Sequence, residues 1–369
     1  MEDRISYVDL ARQWEDEKLE LLPIIEKTMA SGQFVLGEIV EKFEENIASL
    51  TGANYVVSLN SGTDALVCSL AALGVRAGDE VITPPNSFVA STSAITHLGA
   101  KPIFADVLED QMINPKMIRS LITKKTKAIM PVHLTGRMSR MDEISAIGKE
   151  FGIPIIEDSA QSIFSKFNGI QSGVYGDVGC FSTHPLKNLN ASGDGGFITT
   201  NSEHIAEQIR SMRNHGMVDR NTVEKFGFVS RMDALQAAIL NYRLKKIDSV
   251  IEKRRSNANL YKKLLNSDKI YSPNDTDEYF NTYHTFVVQL DKRDEVQKFL
   301  AERGIQTAIH YPVPIHLQPA AKNLGYKLGD FPATEAQAKK ILSLPINQFL
   351  EPCQIELVAN TINDFVGTA

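Results

Sequence analysis

The sequence predicts an α/β protein built on a seven-stranded, mainly parallel sheet, followed by a smaller α+β part. Two observations carry this expectation. Between residues 55 and 200, short β-branched runs alternate with helical patterns, the rhythm of a parallel sheet covered by helices. After Met232 that rhythm gives way to long amphipathic stretches. A chain of 369 residues, 43% hydrophobic, carries enough apolar material for one large core and a second smaller one. The division expected is 1–240 for the arm and large domain, and 241–369 for the small C-terminal domain.

In chain order, 10–29 reads as a helix ending near Ser31 and Gly32, and 38–50 as a second helix ending at Gly52, a C-terminal cap. These form an N-terminal arm. The strands expected are YVVSL from Tyr55, EVIT from Glu80, KPIFADV from Lys101, AIMPV from Ala128, PIIED from Pro154, VGCFS from Val178 and GFITT from Gly196. Helices at 63–73 and 140–151 lie between them, and Gly and Pro mark the connections at 74–78 and 99–102. Beyond Met232, MDALQAAILNYRLKKIDSVIEKRRSNANLYKKLL places apolar residues at helical spacing, with a basic face opposite that reads as solvated. Residues 266–283 are polar and turn-rich. Strand-like HTFVVQL from His284, helix-like RDEVQKFLAERG from Arg293 and two C-terminal helical patterns follow.

A net charge of -6 gives no general attraction to nucleic acid or to an anionic membrane. The start, MEDRISYVDL, is charged from its second residue and has no apolar run of signal or membrane length, which points to the cytoplasm. Cys68, Cys180 and Cys353 are odd in number and far apart, and read as three buried thiols in a reducing compartment. No metal site is expected.

The chemistry concentrates in CFSTHPLKNLNASGDGGFITT, where Lys187 follows a strand in a loop ending at Gly193, Gly195 and Gly196. Loops after the carboxyl ends of strands in an open α/β sheet are the usual ligand sites, and glycines let a backbone approach the ligand. Alone, Lys187 is best explained as a solvated surface residue. Its partners change that. Asp158, in PIIEDSAQS, ends a buried strand and needs a cation, for which a protonated pyridine nitrogen is suitable. Glu157 is the alternative, although strand alternation sends the two carboxylates to opposite faces; an N-cap role for Asp158 also stays open. Gln161, three residues on, is placed to bond a ring hydroxyl.

In SLNSGTDAL, Ser61, Gly62 and Thr63 follow a strand and open a helix, a geometry whose free N–H groups and helix dipole hold a phosphate. Taken singly it is equally a capped turn. Ser182, five residues before Lys187, offers a hydroxyl to the same phosphate. Phe88, in PPNSFVAS, follows another strand end, where its ring is placed to stack on a pyridine; taken singly, core packing explains it better. A lysine, a carboxylate, a phosphate turn and an aromatic plate at strand ends together point to pyridoxal phosphate (PLP).

These motifs, in this order, resemble the DegT/DnrJ/EryC1/StrS family of PLP-dependent sugar aminotransferases. The resemblance runs through SGQFVLGEIVEKFE, SGTDAL, GDEVITPPNSFVAS, PVHLTGR, IIEDSAQS and HPLKNLNASGDGG. It continues in RNHGM, SRMDALQAAIL, GIQTAIHYPVPIHLQPAA, GDFPATEAQA and LSLPIN. It implies the aspartate aminotransferase fold, PLP-dependent fold type I. It also implies a Schiff base on Lys187, Asp158 on the pyridine nitrogen, Gln161 on the ring oxygen, Gly62, Thr63 and Ser182 on the phosphate, and Phe88 stacked on the ring. For the sugar it points to His184, His310 and Tyr311, with His133 and His316 read as buried structural histidines and His310 open to the same reading.

The implied partners are a keto sugar nucleotide and L-glutamate, with two copies of the chain forming a dimer. Family members often carry Asn in the motif GxNxR, where it reaches the neighbouring subunit's PLP phosphate; here GFVSR has Val229, so that contact is expected to be lost. IHYPVPIHLQPA resembles enzymes aminating C3, or acting on related cyclitols, more than those acting at C4. Relatives that dehydrate deoxysugars replace the lysine by His, which Lys187 argues against. Dehydratases that keep the lysine, and a regulatory homologue without catalysis, are the competing readings.

Overall fold

The computed structural model describes residues 4–368. The arm consists of α1 (Leu10–Ala30) and α2 (Glu38–Thr51), and α2 stops at Gly52, whose φ of 78° is a left-handed cap. The next elements are β1 (Tyr55–Leu59), α3 (Gly62–Ala72), β2 (Glu80–Thr83), α4 (Val89–His97), β3 (Lys101–Phe104), α5 (Pro115–Leu121) and β4 (Thr126–Ile129). After them come α6 (Met141–Phe151), β5 (Ile156–Asp158), a short ribbon of β6 (Lys166–Phe167) and β7 (Ile170–Gln171), β8 (Val178–Ser182), β9 (Gly196–Thr200) and α7 (Glu203–Met212).

Seven of these strands line up as β3-β2-β4-β5-β8-β9-β1, with β4 joined to β5 through the parallel bridges Ile129–Ile155 and Val132–Asp158. Only β9 runs antiparallel to its neighbours, β8 and β1. Therefore the ends of β1, β2, β4, β5 and β8 and the start of β9 all meet at one edge of the sheet.

Side-chain alternation builds both faces of the sheet. Val57, Cys180 and Ile198 face α3, α4 and α7, burying Leu66, Leu70, Ile95 and Ile209. Their neighbours Val56, Phe181 and Phe197 face α2 and a later helix, burying Phe43 and Ile47. Phe181 and Phe197 are opposite in register and stack with centroids 4.7 Å apart, an arrangement that contributes about 0.5–1.5 kcal/mol beyond its buried area.

Past Met232 the long amphipathic stretch is two helices, α8 (Ala234–Leu244) and α9 (Ile247–Leu264), rather than one. The buried positions Leu240, Leu244, Ile247 and Ile251 continue at helical spacing through the break at Lys245 and Lys246, and neither Gly nor Pro marks it. The basic face is also less solvated than expected. Arg243 pairs with Glu17 and donates to Asn190 O (2.7 Å), while buried Arg254 donates to the carbonyls of Tyr283 and His284.

The chain finishes with β10 (Tyr279–Phe280), which extends the ribbon, β11 (Phe286–Gln289), α10 (Arg293–Ala301), α11 (Pro332–Ala338), β12 (Ile341–Leu344) and α12 (Pro352–Thr368). The segment Ile341–Leu344, where the sequence gives no strand pattern, pairs antiparallel with β11. Tyr261, Phe286, Val296, Leu344 and Ile362 share a separate core there, joined by Ile5. Cys68 and Cys180 are buried as expected, but Cys353 lies exposed at the start of α12, because it falls outside that helix's buried stripe.

A seam of hydrogen bonds ties this last part to the sheet. Thr282 N–H donates to Gly136 O and Thr285 N–H to Thr135 O, Asn188 Nδ2 donates to Thr282 O, and the hydroxyls of Ser165 and Thr282 meet at 2.8 Å. Gly136, with φ of 95°, is needed here, since a Cβ would stand 2.7 Å from Tyr283 N. Among the described residues no helix is long and apolar enough to cross a membrane, and no cluster of three His, Cys, Asp or Glu residues is placed to hold a metal.

Candidate active site

Lys187 sits in the loop between β8 and β9, which its own backbone closes: Thr183 N–H donates to Gly195 O, Ala191 N–H to Thr183 O and Lys187 N–H to His184 O. The loop is pinned from outside at Asn188 by Thr282 O, and at Asn190 by Gln13 of α1 and Arg243 of α8. Gly195 allows the closure, because a Cβ there would stand 2.3 Å from Thr183 Oγ1. Burial brings the Lys187 amine down to about 8, against the opposing pull of the Asp158 carboxylate.

Asp158 is buried at the end of β5. Its Oδ2 accepts from Ser91 Oγ at 2.7 Å and its Oδ1 from Ala160 N–H at 3.2 Å. Burial raises its pKa; the two hydrogen bonds, then Lys187 and His133, oppose that rise. Glu157 points elsewhere, accepting from His133 Nε2 and from the N–H groups of Gly173 and Gly176. Strand alternation has therefore left one carboxylate facing the lysine and spent the other on structure. The carboxamide of Gln161 accepts from Thr135 N–H (2.8 Å) and reaches Tyr311 Oη at 3.4 Å.

The Ser61 to Thr63 turn opens α3 beside this pair. Ser61 Oγ caps the helix by accepting from Asp64 N–H. Among the described residues the N–H groups of Gly62 and Thr63 have no acceptor. They stand at the positive end of the helix dipole, where an anion is favoured. The turn is wedged between strands: a Cβ on Gly62 would lie 2.6 Å from Ser182 Cβ, and one on Gly196 would lie 2.5 Å from the Ser61 carbonyl. Gly62→Ala is accordingly expected to lower stability by about 1–3 kcal/mol and to weaken phosphate binding with it. Thermal unfolding and phosphate-ester titration would read both, and an unchanged affinity would refute the wedge. Ser182 Oγ accepts from His184 N–H, leaving its own proton to donate.

Phe88 caps α4 with its side chain 54% exposed, so the core-packing alternative does not hold; its ring is 5.7 Å from that of Tyr311. Burial pushes the Tyr311 hydroxyl up to about 12, and nearby Asp158 adds to the rise. His310 bonds Ser343 Oγ through Nδ1 and stacks on Tyr7, and burial, then Lys187, hold it down to about 4. His184 lies exposed on the lysine loop. His133 and His316 are buried against Glu157 and Glu335.

Residues not singled out in the sequence also reach this edge. His284 has a buried, unpartnered Nδ1, and burial, followed by Lys187, Arg254, His310 and His184, holds its pKa well below the usual range. A cavity of about 560 Å³ beside the phosphate turn is lined by Ser61, Asp64, Asp194, Val229 and Arg231. Val229 is exposed there, with no side-chain donor to offer.

A doubly covered sheet with a depressed lysine and a buried carboxylate at one edge defines a PLP-dependent transferase of fold type I. The chain belongs to the DegT/DnrJ/EryC1/StrS aminotransferase family, whose model matches residues 15–363. It is 40% identical over 365 residues to a "pleiotropic regulatory protein" of Geobacillus stearothermophilus, covering 98% of each chain. To the UDP-2-acetamido-2-deoxy-3-oxo-D-glucuronate aminotransferase of Pseudomonas aeruginosa it is 36% identical over 361 residues, covering 98% of this chain and 100% of the other. Streptomyces venezuelae DesV, solved in complex with a ketimine intermediate, superposes with a TM-score of 0.96 at 35% identity over 98% of both chains. Solved relatives carry PLP or its amino form. The protein is a PLP-dependent aminotransferase.

Proposed function

We propose that this protein moves an amino group from L-glutamate to C3 of a nucleotide-linked keto sugar, with Lys187 as the residue that carries PLP. The observation that supports it most is the meeting of Lys187, Asp158 and the unpaired Gly62 and Thr63 N–H groups at one sheet edge. The residues fit PLP: a buried carboxylate suits a pyridinium, the turn suits a phosphate, and exposed Phe88 offers an apolar face to a ring.

When bound, PLP supplies an electron-withdrawing ring that stabilises negative charge on the carbon losing its proton. Lys187 would hold the cofactor through its Nζ, and as a free amine would serve as the base that moves the proton of the donor's amine-bearing carbon. Asp158 stays ionised and holds the ring nitrogen protonated. Gln161 orients the ring oxygen, Phe88 covers the ring face and excludes water, and Gly62, Thr63 and Ser182 hold the phosphate. His184, His310 and Tyr311 contact the sugar. With Val229 in the position of the usual asparagine, water or another donor completes the phosphate shell. We assign a homodimer and, from the buried free thiols Cys68 and Cys180, a reducing, cytoplasmic setting.

The C3 assignment draws support from the 3-oxo substrate in the name of the Pseudomonas relative. Incubating the enzyme with a panel of 3- and 4-keto sugar nucleotides plus glutamate tests it: a 3-amino sugar with 2-oxoglutarate supports the reading. Loss of water without amine gain favours the dehydratase. A visible cofactor band indifferent to every amino donor favours a regulatory role, the reading suggested by the Geobacillus relative's name.

The amine's fall to about 8 also has a kinetic consequence. The unprotonated, nucleophilic fraction of Lys187 grows as pH rises through that value, so PLP capture by the apoprotein speeds up across it and levels off about one unit higher. Stopped-flow appearance of the visible band would show this, and a rate flat across that interval would contradict it.

A further inference from the structure

Asp158 does not face the cofactor site unaided. Ser91, one turn into α4 and 1% exposed, donates its only proton to Asp158 Oδ2 at 2.7 Å. Ser87, also buried, places its hydroxyl 3.0 Å from Ser91 Oγ and equally 3.0 Å from Phe88 O, and shares its proton between them. We propose that Ser87 and Ser91 form a directed hydroxyl chain that keeps Asp158 ionised and oriented, making Ser91 a positioning residue for PLP. This rests on the assignment of Asp158 to the ring nitrogen.

The direction of the chain follows from its distances. Asp158 Oδ1 accepts from Ala160 N–H and Oδ2 from Ser91, so both oxygens act as acceptors, as a carboxylate requires. A proton on Oδ2 would turn the Ser91 hydroxyl away, and its alternative acceptor, Phe88 O, is 3.4 Å distant. Protonating Asp158 therefore reverses a short charge-assisted bond into a neutral one from Oδ2–H to Ser91 Oγ, and leaves the Ser91 proton only the long contact to Phe88 O. The second hydroxyl adds to this in the fraction of time that Ser87 donates into Ser91 rather than to Phe88 O, since that donation polarises the bond Ser91 makes.

Glu157, the other carboxylate of β5, is satisfied by two backbone N–H groups and His133 and touches neither serine. The chain is thus specific to the carboxylate that faces Lys187. Its location adds a further point. Phe88 is the cap of α4 and Ser91 lies within its first turn, so the segment following β2 sets both the apolar plate and the charge state of the opposing carboxylate.

The test uses the holoenzyme and the variants S91A, S91T, S87A and D158N. Three readings are taken: the pH midpoint of the visible band, the rate of PLP loss after dilution, and the thermal unfolding temperature. S91A is expected to move the midpoint by about one pH unit and to speed PLP loss about tenfold, with little change in unfolding. S91T restores both by returning the hydroxyl, and S87A, which leaves Ser91 in place, shifts them in the same direction but less. Wild-type midpoint and PLP retention in S91A, or changes in S91A that appear only alongside a lowered unfolding temperature and are not reversed in S91T, would overturn the proposal. A D158N enzyme with unaltered midpoint and retention would instead overturn the assignment of Asp158 beneath it.

Discussion

Lys187→Ala is expected to abolish the visible band of the protein with PLP and to slow amino transfer by about 10²–10⁴-fold or more, the range lost with a positioned acid–base group. The lysine has two tasks in the proposed reaction, attachment and proton transfer, and alanine performs neither. Its fall to about 8 arises first from burial, which outweighs the pull of Asp158, so the protonated amine is a net cost where it sits. The fold is therefore expected to persist, with an unfolding temperature close to wild type. The measurement is a spectrum and a single-turnover assay on the purified variant. Retention of a covalent band in Lys187→Ala would place the attachment elsewhere and sink the assignment.

Asp158→Asn is the next largest. The amide keeps the shape and removes the charge, so the ring nitrogen loses the carboxylate that would keep it protonated. An opposite charge at close range shifts such a proton by one to three pKa units, and about 1.4 kcal/mol per unit translates to a loss of about 10- to 10³-fold in kcat with PLP saturating. The fold again has little reason to suffer, since Asp158 is a buried charge whose pKa burial already raises. A variant with wild-type kcat and a wild-type spectrum would show that the ring nitrogen is served by another group.

What could be read in the sequence was whatever repeats locally or sits at a strand end. β1, β2, β8 and β9 begin at the residues expected of them, because short β-branched runs bounded by turns leave few alternatives. Lys187, Asp158, Gly62, Thr63, Ser182 and Phe88 could be found because each lies within a few residues of such an end. β12 is not legible in the sequence because ILSL is short and apolar between helical patterns, and it becomes a strand only by pairing with β11, more than fifty residues earlier. The break between α8 and α9 leaves the apolar spacing intact.

Long-range partners were harder still. Ser91 reaches Asp158 across 67 positions, and only its place one turn after Phe88 could have flagged it. His284 and Arg254 come to the site through the seam of the C-terminal part, and Arg243 reaches the lysine loop from within a helix face that looks merely solvated. Buried basic groups bonded to carbonyls have no periodic signature.

The seam at 282–285 also limits how the molecule can breathe. Swinging the C-terminal part away would break at least four hydrogen bonds together, those of Thr282 and Thr285 with the 135–136 turn, of Asn188, and of Ser165, along with those of Ala333 and Thr334 to Asp106. At about 1 kcal/mol each, the four seam bonds alone leave fewer than about one molecule in a thousand splayed at any instant. Incoming substrates thus meet a cleft whose walls are already assembled. The freedom that admits them belongs to side chains such as Phe88, Leu186 and His184 at its mouth, and turnover should not wait on the two halves parting.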